Sequence, residues 1–298
     1  GLLTVMATKN RSQNDLTGDI MILFKQLTER LVILFFAVGV FTGAGPAIAD
    51  EEPLVAFPDK WMFRFGAYIV DGANTQISIN TPAGNLGTTI DYKKDLGGED
   101  GDNIPRVDAY YRFNPRHRID FTAFSIDRKG QRTLDAEIRI GEDVYNINET
   151  LISDIEYTLY KLGYAYSFYH SPKVELSLSA GINVTTYDLS FETADGSKAE
   201  AAGITVPLPM FGLRMGYAIT PKWYVHYVTE AFFIDFEDTF RGAVLNYELN
   251  TEYKIFKNFA LGLGLARLGI AADVDDDDWR GTISDTYRGY TVFGTLYF

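Results

Sequence analysis

Three histidines are the scarcest general-base candidates in this chain: His117, His170 and His226. A hydrolase would need one of them within hydrogen-bond reach of a nucleophile and of a carboxylate that orients it. His117 and His170 fall in Pro-containing tight turns, Asn114-Pro115-Arg116-His117 and His170-Ser171-Pro172-Lys173. His226 lies in an alternating run, where Glu230 shares its face. Four residues of extended chain separate the two by about 13 Å, too far for a base and its orienter to touch. The sequence therefore assigns no catalytic residue, and a cross-strand partner for His226 stays open.

Metal and nucleotide chemistry fare no better. Asp273, Asp275 and Asp277 match positions 1, 3 and 5 of a calcium loop, but Asp278 stands where Gly is needed and Ser284 where the bidentate Glu should fall. This run and Gly97–Asp102 read as solvated acidic loops. Leu261-Gly262-Leu263-Gly264 does not lead a strand into a helix, so it implies no phosphate cradle. The chain has no cysteine, which excludes disulfides and thiolate metal sites. No metal and no cofactor is expected. A net charge of -13 argues against a nucleic-acid partner, because phosphates need a basic surface.

One set of charges does stand out. Arg64, Arg106, Asp108, Arg112, Arg118, Asp120, Lys161, Glu175, Arg214, His226, Glu230, Glu248, Glu252 and Lys254 all fall on the polar side of segments that alternate with period 2. Ions in such numbers cannot sit unpaired in a dry core. Either they form a cross-strand network that plugs a narrow interior, or they line water.

The elements that position them are strands. From Lys173 to Thr185, Val174, Leu176, Leu178, Ala180, Ile182 and Val184 oppose Glu175, Ser177, Ser179, Asn183 and Thr185. Residues 104–114, 206–219, 222–234 and 240–256 repeat the pattern. A soluble sandwich and a membrane barrel both produce such alternation. Length favours the barrel, because many runs reach 11–14 residues and a tilted spanning strand needs about 9–11. So does the connection pattern. Tight turns at 114–117, 170–173, 220–222 and 256–258 alternate with longer polar stretches at 128–150, 191–205 and 273–281. Phe113, Phe168, Tyr169, Tyr217, Trp223, Tyr253 and Phe256 cluster beside the tight turns, where an aromatic girdle would lie.

The N-terminal fifty residues read differently. Met21 opens a basic n-region with Lys25 and Arg30, Leu31 to Thr42 form a 12-residue apolar core, and Ala47-Ile48-Ala49 supplies an A-x-A cleavage site. Residues 21–49 are expected to be a cleaved export signal, with residues 1–20 an upstream extension outside the fold and 50–298 the barrel.

The chain closes on Tyr290-Thr-Val-Phe-Gly-Thr-Leu-Tyr-Phe298. With Phe298 last and Leu296, Val292 and Tyr290 at alternate positions before it, this ending resembles that of the Gram-negative outer-membrane β-barrel proteins. Gly294 departs from the pattern. The overall look is that of small porin-like or outer-membrane protein A-like barrels. The resemblance implies an all-β, up-and-down antiparallel barrel in the cell outer membrane, and an ending read by the barrel assembly machinery. Its partners would be outer-membrane lipid and lipopolysaccharide, with the secretion translocon and that machinery in transit. Barrel phospholipases and lipid A deacylases of this group place His and Ser two residues apart on one strand. Here the positions two away from the histidines are Pro115, Ile119, Phe168, Pro172, Tyr224 and Val228.

Ten strands are clear, and residues 75–95 read as two more around Pro82-Ala83-Gly84-Asn85. Twelve strands is the expectation, with ten as the alternative if 75–95 is a hairpin outside the membrane. Residues 133–148 read as a hairpin turning at Gly141-Glu142-Asp143, above the membrane. The expected role is a non-enzymatic narrow pore or structural membrane component. The alternatives are a lipid- or lipid A-modifying barrel enzyme, and an adhesin or receptor built on acidic outer loops.

Overall fold

The computed structural model describes residues 59–80, 88–98, 102–140, 143–236, 240–275 and 280–298. The proposed export signal, with Ala47 and Ala49, lies outside them. The strands are β1 (Trp61–Ile79), β2 (Ile90–Asp91), β3 (Asp102–Asn114), β4 (His117–Thr133), β5 (Ile138–Ile140), β6 (Asp143–Tyr145), β7 (Thr150–His170), β8 (Val174–Thr193), β9 (Ala199–Ala218), β10 (Trp223–Phe236), β11 (Phe240–Phe256), β12 (Phe259–Asp275) and β13 (Arg280–Tyr297). One short helix, α1 (Tyr92–Leu96), follows β2. Ten strands, β1, β3, β4 and β7 to β13, form an antiparallel sheet in which each pairs with its neighbours. β1 pairs with β13 from Met62↔Tyr297 to Ile79↔Gly281, which closes the barrel and removes its edges. No described helix is long and apolar enough to cross a membrane; strands do the crossing.

The count of twelve is thereby corrected to ten. Residues 75–79 continue β1 beyond a bulge at Val70/Gly72. Residues 90–96 add a two-residue strand and α1 instead of a second span. The polar stretches expected as loops are also mostly strand. β4 runs to Thr133, β7 begins at Thr150, β8 and β9 are separated only by residues 194–198, and β12 reaches Asp275. The 133–148 hairpin is present as β5 and β6; its turn residues 141–142 are outside the described ones.

The strands are long because the barrel has two halves in different solvents. At about 3.3 Å per residue and a tilt of about 40°, a strand the length of β7 rises roughly 50 Å, twice the roughly 25 Å apolar band of a membrane barrel. Around the half that carries Trp61, Phe298 and the four tight turns (here the terminal end), large apolar side chains face outward and stay exposed. Ile119, Phe121, Leu162, Leu178, Ile182, Phe211, Leu263, Leu265 and Val292 are among them. Above this band the polarity inverts while the strand parity holds. On β8, Thr186, Asp188 and Ser190 now point out, and Tyr187, Leu189 and Phe191 point in. Ser125, Thr158, Thr186 and Thr205 form one outer row across β4, β7, β8 and β9. Ser125 and Thr158 hydroxyls meet at 2.8 Å, Thr186 and Thr205 at 3.0 Å.

Inside the outer half lies an apolar core. Ile77, Ile104, Ile126, Leu151, Ile155, Tyr157, Phe191 and Ile270 are buried in it, with Ile90, Tyr92 and Leu96 from the β2–α1 segment and Ile138, Ile140 and Tyr145 from the hairpin. These two insertions close the mouth. α1 starts on Asp91, whose carboxylate accepts from the Lys94 backbone N–H, and ends on Gly97 with φ 70°, a left-handed cap that favours glycine. α1 lies so close to β4 that a Cβ on Gly130 would come within 2.8 Å of the Leu96 carbonyl oxygen. The Tyr92 hydroxyl donates to the Arg128 carbonyl at 2.8 Å.

Candidate functional site: the ion-paired lumen

The terminal half of the interior holds the charged residues that the alternation singles out. β1 contributes Arg64, β3 Arg106, Asp108 and Arg112, β4 Arg118 and Asp120, β7 Lys161, β8 Glu175, β9 Arg214, β10 His226 and Glu230, and β11 Glu248, Glu252 and Lys254. Each is paired. Arg112 grips Glu175 through two guanidinium nitrogens at 2.8 and 3.1 Å. Arg106 bridges Asp108 at 2.9 Å and Glu248 at 2.6 Å. Glu230 accepts from Lys161 at 2.8 Å and Arg214 at 2.7 Å. Arg118 meets Asp120 at 3.1 Å, and Lys254 meets Asp59 at 2.8 Å. Three carboxylates also take hydroxyl donors: Asp108 from Thr122 at 2.8 Å, Glu175 from Ser167, and Glu252 from Thr295 at 3.2 Å and from Tyr297.

Arg112, Asp120, Lys161, Glu175, Glu230, Glu248 and Glu252 are buried, and the other seven are partly buried. An ion removed from water is tolerated when its partner and its remaining hydrogen bonds are in place. The network therefore holds the wall together across the lumen, not only between adjacent strands. A cavity of about 90 Å³, lined by Arg118, Asp120, Lys161, Arg214 and His226, lies within it. Its polar lining and size give room for a few waters.

His226 does find a cross-strand partner: its Nε2 lies 3.2 Å from a Glu252 carboxylate oxygen. That oxygen pair also serves Arg64 at 3.0 Å, Thr295 and Tyr297. Glu230, on the face of His226, pairs instead with Lys161 and Arg214. His117 Nδ1 contacts the Tyr164 hydroxyl on the outer wall. His170 Nδ1 lies 3.9 Å from Glu175. All three histidines are thus at the terminal end, and no serine completes a nucleophile–base pair with them among the hydrogen bonds described.

A second buried polar cluster went unread in the sequence. Asp285 sits in the apolar half and accepts from Thr75 at 2.6 Å, from Tyr187 at 2.9 Å and from Tyr287. Arg128 donates to Thr75 at 2.6 Å, and its guanidinium lies 4.7 Å from the Tyr92 ring centroid. The available signal was Asp285 in an inward row between Ile283 and Tyr287, where an unpaired carboxylate would be costly.

The final row is on the outer wall. Tyr290 and Val292 are half exposed, Phe298 is exposed, and Leu296 is partly covered. Gly294 leaves a gap over which the Phe259 ring lies: a Cβ there would be 3.2 Å from it. Phe298 and Trp61 exchange backbone hydrogen bonds at 3.0 and 2.9 Å, so the last residue completes the seam.

A closed up-and-down barrel with an apolar outer band and a polar interior beneath it defines the class: an outer-membrane β-barrel. Among solved structures, the outer membrane protease OmpT of Escherichia coli is similar over 83% of this chain and 99% of its own, with a TM-score of 0.54 and 11% identity. The toluene transporter TodX of P. putida covers 81% of this chain and 91% of its own, with a TM-score of 0.34 and 9% identity. The attachment invasion locus protein Ail of Yersinia pestis covers 78% and 97%, with 0.35 and 9%. No protein family matches the sequence, and no curated protein does. At 11% identity the likeness to OmpT is one of fold.

Proposed function

We propose that the protein is a closed structural barrel of the outer membrane and does not conduct. The observation that carries this reading is the filled interior. The terminal half is cross-linked by ion pairs, and the outer half is packed with apolar side chains under α1 and the β5–β6 hairpin. An ion entering from either side meets a dry core or a lattice of committed charges. Protein reconstituted in a planar bilayer should give no conductance steps in molar salt. Steps of porin size would overturn the proposal.

The enzymatic alternative lacks its base where an outer-membrane hydrolase would need one. The likeness to a protease brings no histidine to the outer mouth, because all three stand at the terminal end. Lipid A and phospholipids from deletion and overexpressing strains should give the same mass spectra. A new deacylated or transferred species would revive the enzyme. Outer-membrane lipid and lipopolysaccharide against the wall, and the secretion translocon and barrel assembly machinery in transit, are the partners this reading implies.

A further inference from the structure

We propose that the terminal rim of the barrel is a docking surface for the phosphate headgroups of anionic phospholipids. The chain carries a net charge of -13, yet this rim is basic. Lys60 precedes β1, and each of the four tight turns adds one cation: Arg116, Lys173, Lys222 and Lys257. All five are exposed. Among the described residues, the rim's one carboxylate side chain is Asp59, which is committed to Lys254 in the lumen at 2.8 Å. Among the described residues, the other carboxylate side chains lie on the strands and the outer segments.

The rim is also set at a particular depth. Trp223 directly follows Lys222, Phe256 directly precedes Lys257, and Trp61 directly follows Lys60. All three aromatic side chains are exposed on the outer wall. The amphipathic indole rings of Trp61 and Trp223 belong at headgroup level, and long cationic side chains next to them reach the phosphates. Arg116 leans on the Tyr166 hydroxyl at 3.5 Å, which keeps its guanidinium against the wall. The five cations, four from the tight turns and Lys60 at the closing seam, are spaced around the whole perimeter. A protein partner would contact one flank of such a ring; lipid surrounds it. Opposite charge at the membrane surface and this perimeter geometry together favour phospholipid.

Trp61 and Trp223 make the test direct. The third tryptophan, Trp279, is replaced by Phe so that only the rim reports. The protein is refolded into phosphatidylcholine bilayers containing a minor fraction of phosphatidylglycerol. Bromine is placed on the anionic lipid in one sample and on an equal fraction of the neutral lipid in another. Brominated phosphatidylglycerol should quench about twofold more strongly, reflecting its enrichment at a basic rim. The excess should vanish when Lys60, Arg116, Lys173, Lys222 and Lys257 are all changed to Gln. It should shrink in the unaltered rim at molar salt, where screening confines charge attraction to about 3 Å. Equal quenching by the two lipids overturns the proposal, as does an excess that survives either the five substitutions or the salt. Equal quenching with salt-sensitive capture of an acidic periplasmic protein would move the rim's partner from lipid to protein. The salt arm holds even if the five-fold variant fails to fold.

Discussion

Arg64 on β1 and Glu252 on β11 meet at 3.0 Å, although β12 and β13 lie between their strands in the wall. The contact spans the lumen across the seam that β1 and β13 close. Glu252 gathers donors from β1, β10 and β13 at one carboxylate. Removing it would leave the Arg64 guanidinium buried without its counter-ion.

Glu252→Ala should therefore destabilise the barrel by about 3 kcal/mol, the lower range for breaking a buried pair by deleting one partner. Glu252→Gln keeps an acceptor for Tyr297 and should lose less. Urea unfolding in detergent micelles, followed by tryptophan fluorescence, measures both. Equal stability of Glu252→Ala and the unaltered protein would mean that the lumen is wet enough to solvate Arg64.

The upper edge of the lipid band can be mapped by one residue type placed at two heights. Ile182 and Thr186 lie on the same outer face of β8, four residues apart. Ile182→Arg should cost about 2–4 kcal/mol if it lies near the bilayer midplane, and Thr186→Arg about 0–1 kcal/mol near or beyond the interface. Refolding titrations in lipid vesicles read the difference. Equal costs would place both rows in one solvent.

That inversion also explains what the sequence hid. In the terminal half the rule of apolar out and polar in was readable, and Val174 to Thr185 obeyed it residue by residue. Past Thr185 the period stays 2, but water replaces lipid outside, so Tyr187, Leu189 and Phe191 belong to the interior. A reader who fixes the apolar face as the outer one sees the strand stop there. The polar stretches at 128–150 and 191–205 looked like loops for the same reason. The two supposed strands within 75–95 arose from the same alternation, with no sign of the bulge at Val70/Gly72. The charged rows were legible because each ion shares parity with its strand. Their pairing was not, because Arg64–Glu252 and Lys161–Glu230 join residues 188 and 69 positions apart.

Acid should loosen the cap. Glu149 precedes β7 and bonds the Lys198 ammonium at 2.7 Å. That ammonium and the Asn146 backbone N–H hold its carboxyl below the ordinary 4.5. A carboxyl lowered in the folded state contributes fully above its unfolded value, and the contribution is lost as pH falls through the folded one. The β5–β6 hairpin should resist proteolysis at neutral pH and become sensitive only at a pH below the ordinary glutamate value. Lys198→Gln should raise sensitivity at neutral pH and flatten the response. A hairpin equally resistant in both forms at every pH would remove this ion pair from its support.

Phe298→Ala separates targeting from stability more cleanly than deletion, because it spares the backbone bonds to Trp61. Its exposed ring offers at most about 2 kcal/mol of lipid burial. If the C-terminal row is an assembly signal, outer-membrane levels in cells should fall while refolding in detergent and heat-modifiable migration persist. Unchanged levels in cells would end the signal reading. Failure in both settings would make Phe298 structural.

The hydroxyl row from Ser125 to Thr205 has a consequence for how the cell exterior meets this molecule. Antibodies and phage usually find membrane barrels by their loops, which vary and move. Here the wall itself rises out of the lipid, with Asp127, Glu156 and Asp188 in register one row above the hydroxyls. Its side chains repeat about every 4.8 Å from strand to strand on a backbone that cannot rearrange without breaking the barrel. The protein therefore offers its surroundings a fixed, ruled face, carried on strand residues whose inward-pointing neighbours hold the interior in place.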